Sequence, residues 1–165
     1  GVPILVVTNQ SAIGRGILDS GVLHAIHAQA QAEAQAAGGR LDDFLICPHA
    51  PADSCACRKP KPGLLLDAAM RYNLDLRRCV FVGDSLTDMQ AAAAAGSAWL
   101  LVRTGRQGPT LDAALPALQA GAGTGSSSPH TVETEYARVV GDLGAAAKLI
   151  VGTAVEHLHL ETSVE

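Results

Sequence analysis

Cys47, His49, Cys55 and Cys57 fall within eleven consecutive positions of the stretch CPHAPADSCACRKP. Thiolate sulfur and imidazole nitrogen are the donors that zinc prefers. The spacing is Cys-x-His, five residues, then Cys-x-Cys. In an extended segment, residues two apart point to the same side, so each pair can offer two donors to one ion. The loop between the pairs can fold back and bring them together. Three thiolates and one imidazole close a tetrahedral shell with no open position, so the chemistry expected is a structural zinc site. Pro48 and Pro51 stiffen this loop. The competing reading is a chance group of buried cysteines, and four donors in one short loop weigh against it. Cys79 stands alone at a strand start and reads as core.

Arg58 and Lys59 follow the last of these cysteines directly. A guanidinium fork suits a phosphate or a sugar hydroxyl, and an ammonium supplies a point charge. Alone, two such cations read as solvated surface groups. Beside a metal-stiffened loop at a strand's carboxyl end, they become candidates for substrate binding. The string VGDSLTD places Asp84 and Asp88 one helical turn apart. Asp84 comes immediately after an apolar strand, where a ligand for Mg²⁺ would be useful; the ordinary alternative for an aspartate there is a helix N-cap. Gly83 permits close backbone approach. Thr8-Asn9 also follow an apolar strand, and a hydroxyl beside a backbone N–H can hold a phosphoryl oxygen. His24 and His27 within a helix, His130 in a Gly/Ser-rich stretch, and His157 and His159 near the tail all read as structural or solvated.

These groups need a scaffold, and the pattern around them supplies one. Val2 to Thr8 is a continuous apolar run that reads as a strand buried on both faces. The loop NQSAIGRG follows, then a helix capped by Asp19 or Ser20, reaching about Ala37 and closed by Gly38-Gly39. Phe44 to Cys47 reads as a second strand. Pro62 opens a helix through about Tyr72. Cys79 to Val82 is a strand, Leu86 to Ala95 a helix stopped by Gly96, and Ala98 to Val102 a strand. Gly105 to His130 contains the low-complexity run GAGTGSSSP and reads as a mobile insertion. Tyr136 to Val140 is a last strand and Leu143 to about Leu158 a last helix, followed by a frayed tail, HLETSVE. Strands alternate with helices, so the fold class expected is α/β: a Rossmann-like parallel sheet with helices on both faces, forming a single domain over residues 1–165. In such sheets, ligands bind beyond the carboxyl ends of the strands. Thr8-Asn9, the Cys/His loop and Gly83-Asp84 all fall there.

Composition narrows the classes. The 165 residues are 48 % hydrophobic and only 3 % aromatic, so the core must be built from Ala, Leu, Val and Ile. The formal charge of −4 comes without a basic, aromatic-bearing cluster, which argues against a nucleic-acid surface. No apolar run has the length of a membrane span. The opening GVPILVVTNQ lacks a charged n-region and a cleavage site, so it does not read as a signal peptide. Cysteines gathered around a histidine suggest a reduced, cytoplasmic metal site rather than disulfides.

An apolar strand ending in Thr8, a downstream Lys59, and a strand followed by Gly83-Asp84-x-x-x-Asp88 together resemble the haloacid dehalogenase superfamily of phosphatases. Within it, TNQSAIGRG, CPHxPxxxCxCRKPKPG, FVGDSLTDMQAA and LVRTG are similar to the heptose-bisphosphate phosphatases, over roughly residues 3 to 105 in register. The resemblance implies that Thr8 and Lys59 stabilise a transferring phosphoryl group and that Asn9, Gln10 and Ser11 line the substrate site. It further implies that Arg58 recognises the substrate, that Asp84 binds Mg²⁺, and that Cys47, His49, Cys55 and Cys57 bind zinc. The substrate implied is a small-molecule sugar bisphosphate, hydrolysed through a phospho-aspartate by a cytoplasmic enzyme, a monomer if complete. Ala12 stands where the family usually has Gly, and Ser85 where some members have Lys. The family's first motif, Asp-x-Asp after an apolar strand, does not occur in the sequence, and Asp42-Asp43 precede a strand rather than follow one. The expectation is an N-terminally truncated member whose nucleophile is missing from this chain. Histidinol-phosphate phosphatase is the near alternative. An inactive, zinc-stabilised remnant that binds phosphate or a partner is the alternative of another class.

Overall fold

Leu, Val and Ile in unbroken runs become strands, and the candidate residues lie at or just after the carboxyl ends of those strands. The computed structural model describes residues 2–105, 107–111, 113–114 and 138–161. They divide into two units, 1–74 and 75–165.

In the first unit, β1 (Leu5–Asn9) pairs in parallel with β2 (Asp43–Cys47). The register sets Leu5 against Asp43 and Asn9 against Cys47, so the two carboxyl ends lie side by side. β1 begins later than the apolar run, because the residues before it are engaged otherwise: Ile4 N–H donates to Asp42 Oδ2 at 2.6 Å and Asp42 N–H donates to the Ile4 carbonyl at 2.8 Å. β1 is also not buried on both faces. Its residues are all half-buried and Val2 is 83 % exposed. Among the described residues its ladder runs on one side only, and a strand's burial is set by its neighbours, not by its own composition.

The segment expected as a plain loop contains a one-turn helix, α1 (Ser11–Gly14). Its backbone is tied to the strand beside it, with Gln10 N–H donating to the Cys47 carbonyl at 2.8 Å and Gly14 N–H to the Pro48 carbonyl at 3.0 Å. α2 (Ser20–Ala36) starts at Asp19, whose carboxylate accepts the Gly21 N–H at 2.6 Å, and Gly38 takes the left-handed conformation (φ +79°) just past its end. Its Leu23 is buried, and the His27 ring stacks on Phe44 of β2 at 4.1 Å, a structural use of that histidine. α3 (Gly63–Tyr72) buries Leu64, Leu65 and Ala68. Leu64 and Ala68 pack on Leu45 and Cys47, with Leu5 and Val7 of β1 alongside.

In the second unit, β3 (Val80–Gly83), β4 (Ala98–Val102) and β5 (Arg138–Val140) form a parallel sheet in that order. α4 (Leu86–Ala95) joins the first two strands and ends at Gly96 in the left-handed region (φ +72°). α5 (Leu143–Glu161) follows β5. β4 is central, which explains why nearly every residue of AWLLV is buried. Ala98, Leu100 and Val102 face Ala146, Leu149 and Ile150 of α5, with Val80 and Val82 beside them. Leu101 points to the opposite face and is also fully buried, and α4 is the other helix in contact with β3 and β4. Ala91 and Ala92 of α4 are wholly buried, so small side chains do here what aromatics do in other cores.

Among the described residues the ladders are all parallel, in one two-stranded and one three-stranded sheet, with α2 between β1 and β2 and α4 between β3 and β4, as the alternation of patterns predicts. Two further expectations change. The segment from Gly105 is not wholly irregular: residues 108–111 form a helical turn with Leu111 fully buried, while 115–137 lie outside the described residues. The last helix continues to Glu161, past Leu158 and into the tail expected to fray; residues 162–165 lie outside the described residues.

Candidate metal centre and anion site

β2 delivers Cys47, with no exposed surface, to the start of the Cys/His loop. The chain then turns through Pro48. The Asp53 carboxylate accepts the Ala50 N–H at 2.7 Å, closing a short 3₁₀ turn over Pro51–Asp53. Ser54 adopts the left-handed conformation (φ 49°), which reverses the chain and returns Cys55 and Cys57 toward Cys47 and His49. The three Sγ atoms and a histidine ring nitrogen all lie within 4.8 Å of one another. Cys47 Sγ is 3.6 Å from His49 Nδ1, 3.6 Å from Cys55 Sγ and 3.2 Å from Cys57 Sγ. Cys57 Sγ is 3.4 Å from Cys55 Sγ and 3.2 Å from His49 Nδ1. A zinc tetrahedron with ordinary bond lengths has S–S edges of about 3.8 Å and S–N edges of about 3.6 Å. The donor set and its size therefore fit zinc, with small outward movements.

Crowded thiols cannot all ionise together. Burial, with the neighbouring Cys47 and Cys55, pushes the Cys57 thiol up to about 12. Burial also opposes ionisation of Cys55, but hydrogen bonds from Cys57 and Cys47 outweigh it and lower its pKa. A bound dication reverses this by neutralising the thiolates it gathers. α3 begins tight against the loop: Gly63 N–H donates to the Ala56 carbonyl at 3.2 Å, and a Cβ at Gly63 would run into that same oxygen.

The cations after the loop are anchored on it and on β1. Arg58 donates through a guanidinium nitrogen to the His49 carbonyl at 3.2 Å. Lys59 is held three ways. Its backbone N–H donates to Asn9 Oδ1 at 3.1 Å, its carbonyl accepts from Asn9 Nδ2 at 3.1 Å, and its Nζ donates to the Val7 carbonyl at 2.8 Å. Asn9, read from sequence as a substrate-lining residue, thus has its carboxamide on the Lys59 backbone. Lys61, which sequence reading did not single out, donates through Nζ to the carbonyls of Ser54 and Cys55, each at 2.9 Å. A groove of about 230 Å³ lies here, lined by Pro51, Ser54, Cys55 and the run Arg58 to Lys61, with no acidic residue in its wall. Thr8 lies opposite Ile46 in the ladder, on the other side of β1 from Val7. Gln10 and Ser11 lead into α1, with Ser11 O accepting from Arg15.

Asp84, in the second unit, directly follows β3. It does not cap α4. Ser85 does, its hydroxyl accepting the Asp88 N–H at 3.3 Å. Asp88 Oδ2 in return accepts from Ser85 N–H (3.1 Å), Ser85 Oγ–H (2.7 Å) and Asp84 N–H (3.1 Å). Asp88 is therefore the carboxylate that shapes the turn, and Asp84 is the residue that turn presents. Gly83 is needed because a Cβ there would strike the Asp88 side chain, and Gly105 because a Cβ would strike the Asp84 carboxylate. The Ser-x-x-Asp string carried a capping signal that identifies Ser85 from sequence. Nothing local in the sequence signals the approach of Gly105.

Comparison with known proteins gives concordant likenesses. The HAD-hydrolase-like family, the haloacid dehalogenase hydrolases, matches residues 56–122. The D-glycero-β-D-manno-heptose-1,7-bisphosphate 7-phosphatase of Bordetella bronchiseptica is 48 % identical over 108 residues, which is 66 % of this chain and 60 % of that protein. The protein of the same name from Pseudomonas aeruginosa is 44 % identical over 116 residues, 70 % of this chain and 65 % of that protein. The chain thus spans less than two thirds of the length of these relatives. A crystal structure of the D,D-heptose 1,7-bisphosphate phosphatase of B. bronchiseptica, complexed with magnesium and phosphate, superposes with a TM-score of 0.74 at 40 % identity, covering 92 % of this chain and 75 % of that one.

Proposed function

This chain belongs to the haloacid dehalogenase-like hydrolases, and from that premise we propose that it is part of a phosphatase that removes the 7-phosphate of D-glycero-D-manno-heptose 1,7-bisphosphate, the β anomer first. The observation that carries the proposal is the join of two features: a four-donor Cys/His cluster within 4.8 Å, and, in the very next positions, two cations anchored to that loop and to the end of β1. Lys59 gives its charge to the equatorial oxygens of the transferring phosphoryl group, with the Thr8 hydroxyl as a further donor. Arg58 recognises the part of the substrate that does not react, and Gln10 and Ser11, with Asn9, line the site. Asp84 holds Mg²⁺, which when bound supplies charge neutralisation for the phosphoryl oxygens. Zinc holds the loop that carries Arg58 and Lys59. The nucleophilic aspartate of this chemistry is proposed to lie in a segment outside these 165 residues, which contain no Asp-x-Asp. We place the enzyme in the cytoplasm, as a monomeric single domain, as the family resemblance implies. Among the described residues no helix is long and apolar enough to cross a membrane.

The names of the relatives favour the heptose substrate over histidinol phosphate. The test compares phosphate release from both substrates by a longer version of the protein that includes an upstream Asp-x-Asp strand, with Mg²⁺ present. Faster turnover of the heptose bisphosphate is expected, and loss of that turnover in Lys59→Ala. Preference for histidinol phosphate, or no turnover of either, overturns the proposal. The 165-residue chain alone is expected to show no turnover.

A further inference from the structure

We propose that Lys61 is a positioning residue for the metal centre: its ammonium fixes the backbone that aims Cys55 and Cys57, and it offsets the negative charge of the assembled site. The inference rests on zinc being the ion held by Cys47, His49, Cys55 and Cys57. Lys61 lies beyond the four donors in sequence and returns to them by two routes. Its backbone N–H donates to the Arg58 carbonyl at 2.9 Å, closing a turn over 58–61. Its Nζ then reaches back to the Ser54 and Cys55 carbonyls, each at 2.9 Å. These two carbonyls follow directly on the reversal at Ser54 that the loop depends on. Ser54 is a non-glycine residue with φ 49°, a conformation that needs support from its surroundings. A cationic donor shared by two adjacent carbonyls gives that support, through charge-assisted hydrogen bonds.

The electrostatic part follows from the donor count. Three thiolates and one divalent ion leave the shell with a net charge of about −1. Outer groups that hold a ligand in place also set its basicity and orientation. Here the carbonyl of a ligand residue, Cys55, accepts directly from an ammonium, so a compensating positive charge sits on the backbone of a thiolate ligand. Arg58 makes the matching contact to the carbonyl of His49, the other ligand residue whose backbone takes a cationic donor.

The test uses zinc and cobalt(II) with the chain as it stands. Zinc affinity is measured by competition with a chromophoric chelator, and cobalt is used for its thiolate charge-transfer and tetrahedral absorption bands. Lys61→Met is expected to weaken zinc binding by about 10- to 100-fold and to shift or weaken the cobalt bands, which report ligand geometry and not global fold. Lys61→Arg, which keeps charge and donors, is expected to recover most of both, and Lys61→Gln to fall between. If Lys61→Met fails to fold, the Arg and Gln variants carry the comparison, and a Gln variant equal to wild type overturns the proposal. Unchanged affinity and an unchanged cobalt spectrum in Lys61→Met overturn it as well, as does an Arg variant no better than Met. A wild-type chain that gives no tetrahedral thiolate spectrum overturns the zinc reading itself, and this inference with it.

Discussion

Asp88→Ala removes one carboxylate on which the whole β3–α4 turn converges. Its Oδ2 accepts from Asp84 N–H at 3.1 Å, Ser85 N–H at 3.1 Å and Ser85 Oγ–H at 2.7 Å, and the residue is only 4 % exposed. Hydrogen bonds to a charged acceptor contribute about 1.5–3 kcal/mol each. The three cannot simply be added, because Asp84 and Ser85 are half-buried and water can take over part of their bonding. We therefore expect a loss of about 3 kcal/mol. For a chain of this size that corresponds to about 6–12 °C in Tm. Asp88→Asn keeps the volume and one accepting oxygen, so its loss should be about half as large. Urea unfolding followed by circular dichroism measures both. With Asp84 as the proposed Mg²⁺ ligand, the two variants should also weaken Mg²⁺ binding, since the turn that presents that carboxylate loosens. A loss under about 1 kcal/mol in Asp88→Ala, or an Asn variant as unstable as the Ala variant, would refute the assignment of the turn to this carboxylate.

Metal analysis of purified protein should find about one zinc per chain, and Cys55→Ala should lower it; full occupancy with Cys47, Cys55 and Cys57 all replaced would remove the assignment. In an active, longer version, Lys59→Ala should mainly lower kcat, and Arg58→Ala should mainly raise KM or blur substrate choice. An unchanged kcat in Lys59→Ala would show that its charge does not act on the transition state. The Ile4 N–H, and then Arg40, hold the Asp42 carboxyl below its ordinary pKa. A depressed folded pKa contributes stability that is present above the unfolded value, about 3.9, and is lost as pH falls through the folded one. Asp42→Asn should therefore flatten the acid limb of the stability profile, and equal acid sensitivity of the two proteins would contradict it.

What the sequence made legible was local. The four donors could be paired from their spacing alone, because period-two geometry and soft-donor chemistry both act within eleven residues. The helix Leu86–Ala95, its stop at Gly96 and the strand Ala98–Val102 were readable for the same reason, since each carries its own boundary signal. The exposure of β1 was not readable, because it depends on which strands lie beside it. Neither was the grip of Asn9 on Lys59, which joins residues fifty positions apart. Leu111 was hidden inside a run whose Gly, Ser and Pro content argued for a loop, yet it is fully buried in a helical turn. Asp84 was read with two possible roles, and the choice turned on Ser85, a neighbour whose hydroxyl reached the helix first.

The short span of the metal ligands has a consequence for chain entropy. A cross-link gains most when it closes a long loop, and the donors of this cluster enclose only the segment from Cys47 to Cys57. Zinc can therefore gather the same residues in an unfolded chain, and any such binding reduces what the ion contributes to the folded state. Its effect falls on the order of the loop more than on the stability of the unit around it. The longer excursion, from β1 out through α2 and back, is closed near its ends by other means: the Asn9 carboxamide on the Lys59 backbone and the Lys59 ammonium on the Val7 carbonyl. Chelation should thus disorder the loop and leave the β1–β2 ladder standing, whereas cutting the Asn9 tether lengthens the free chain that the ladder alone must close.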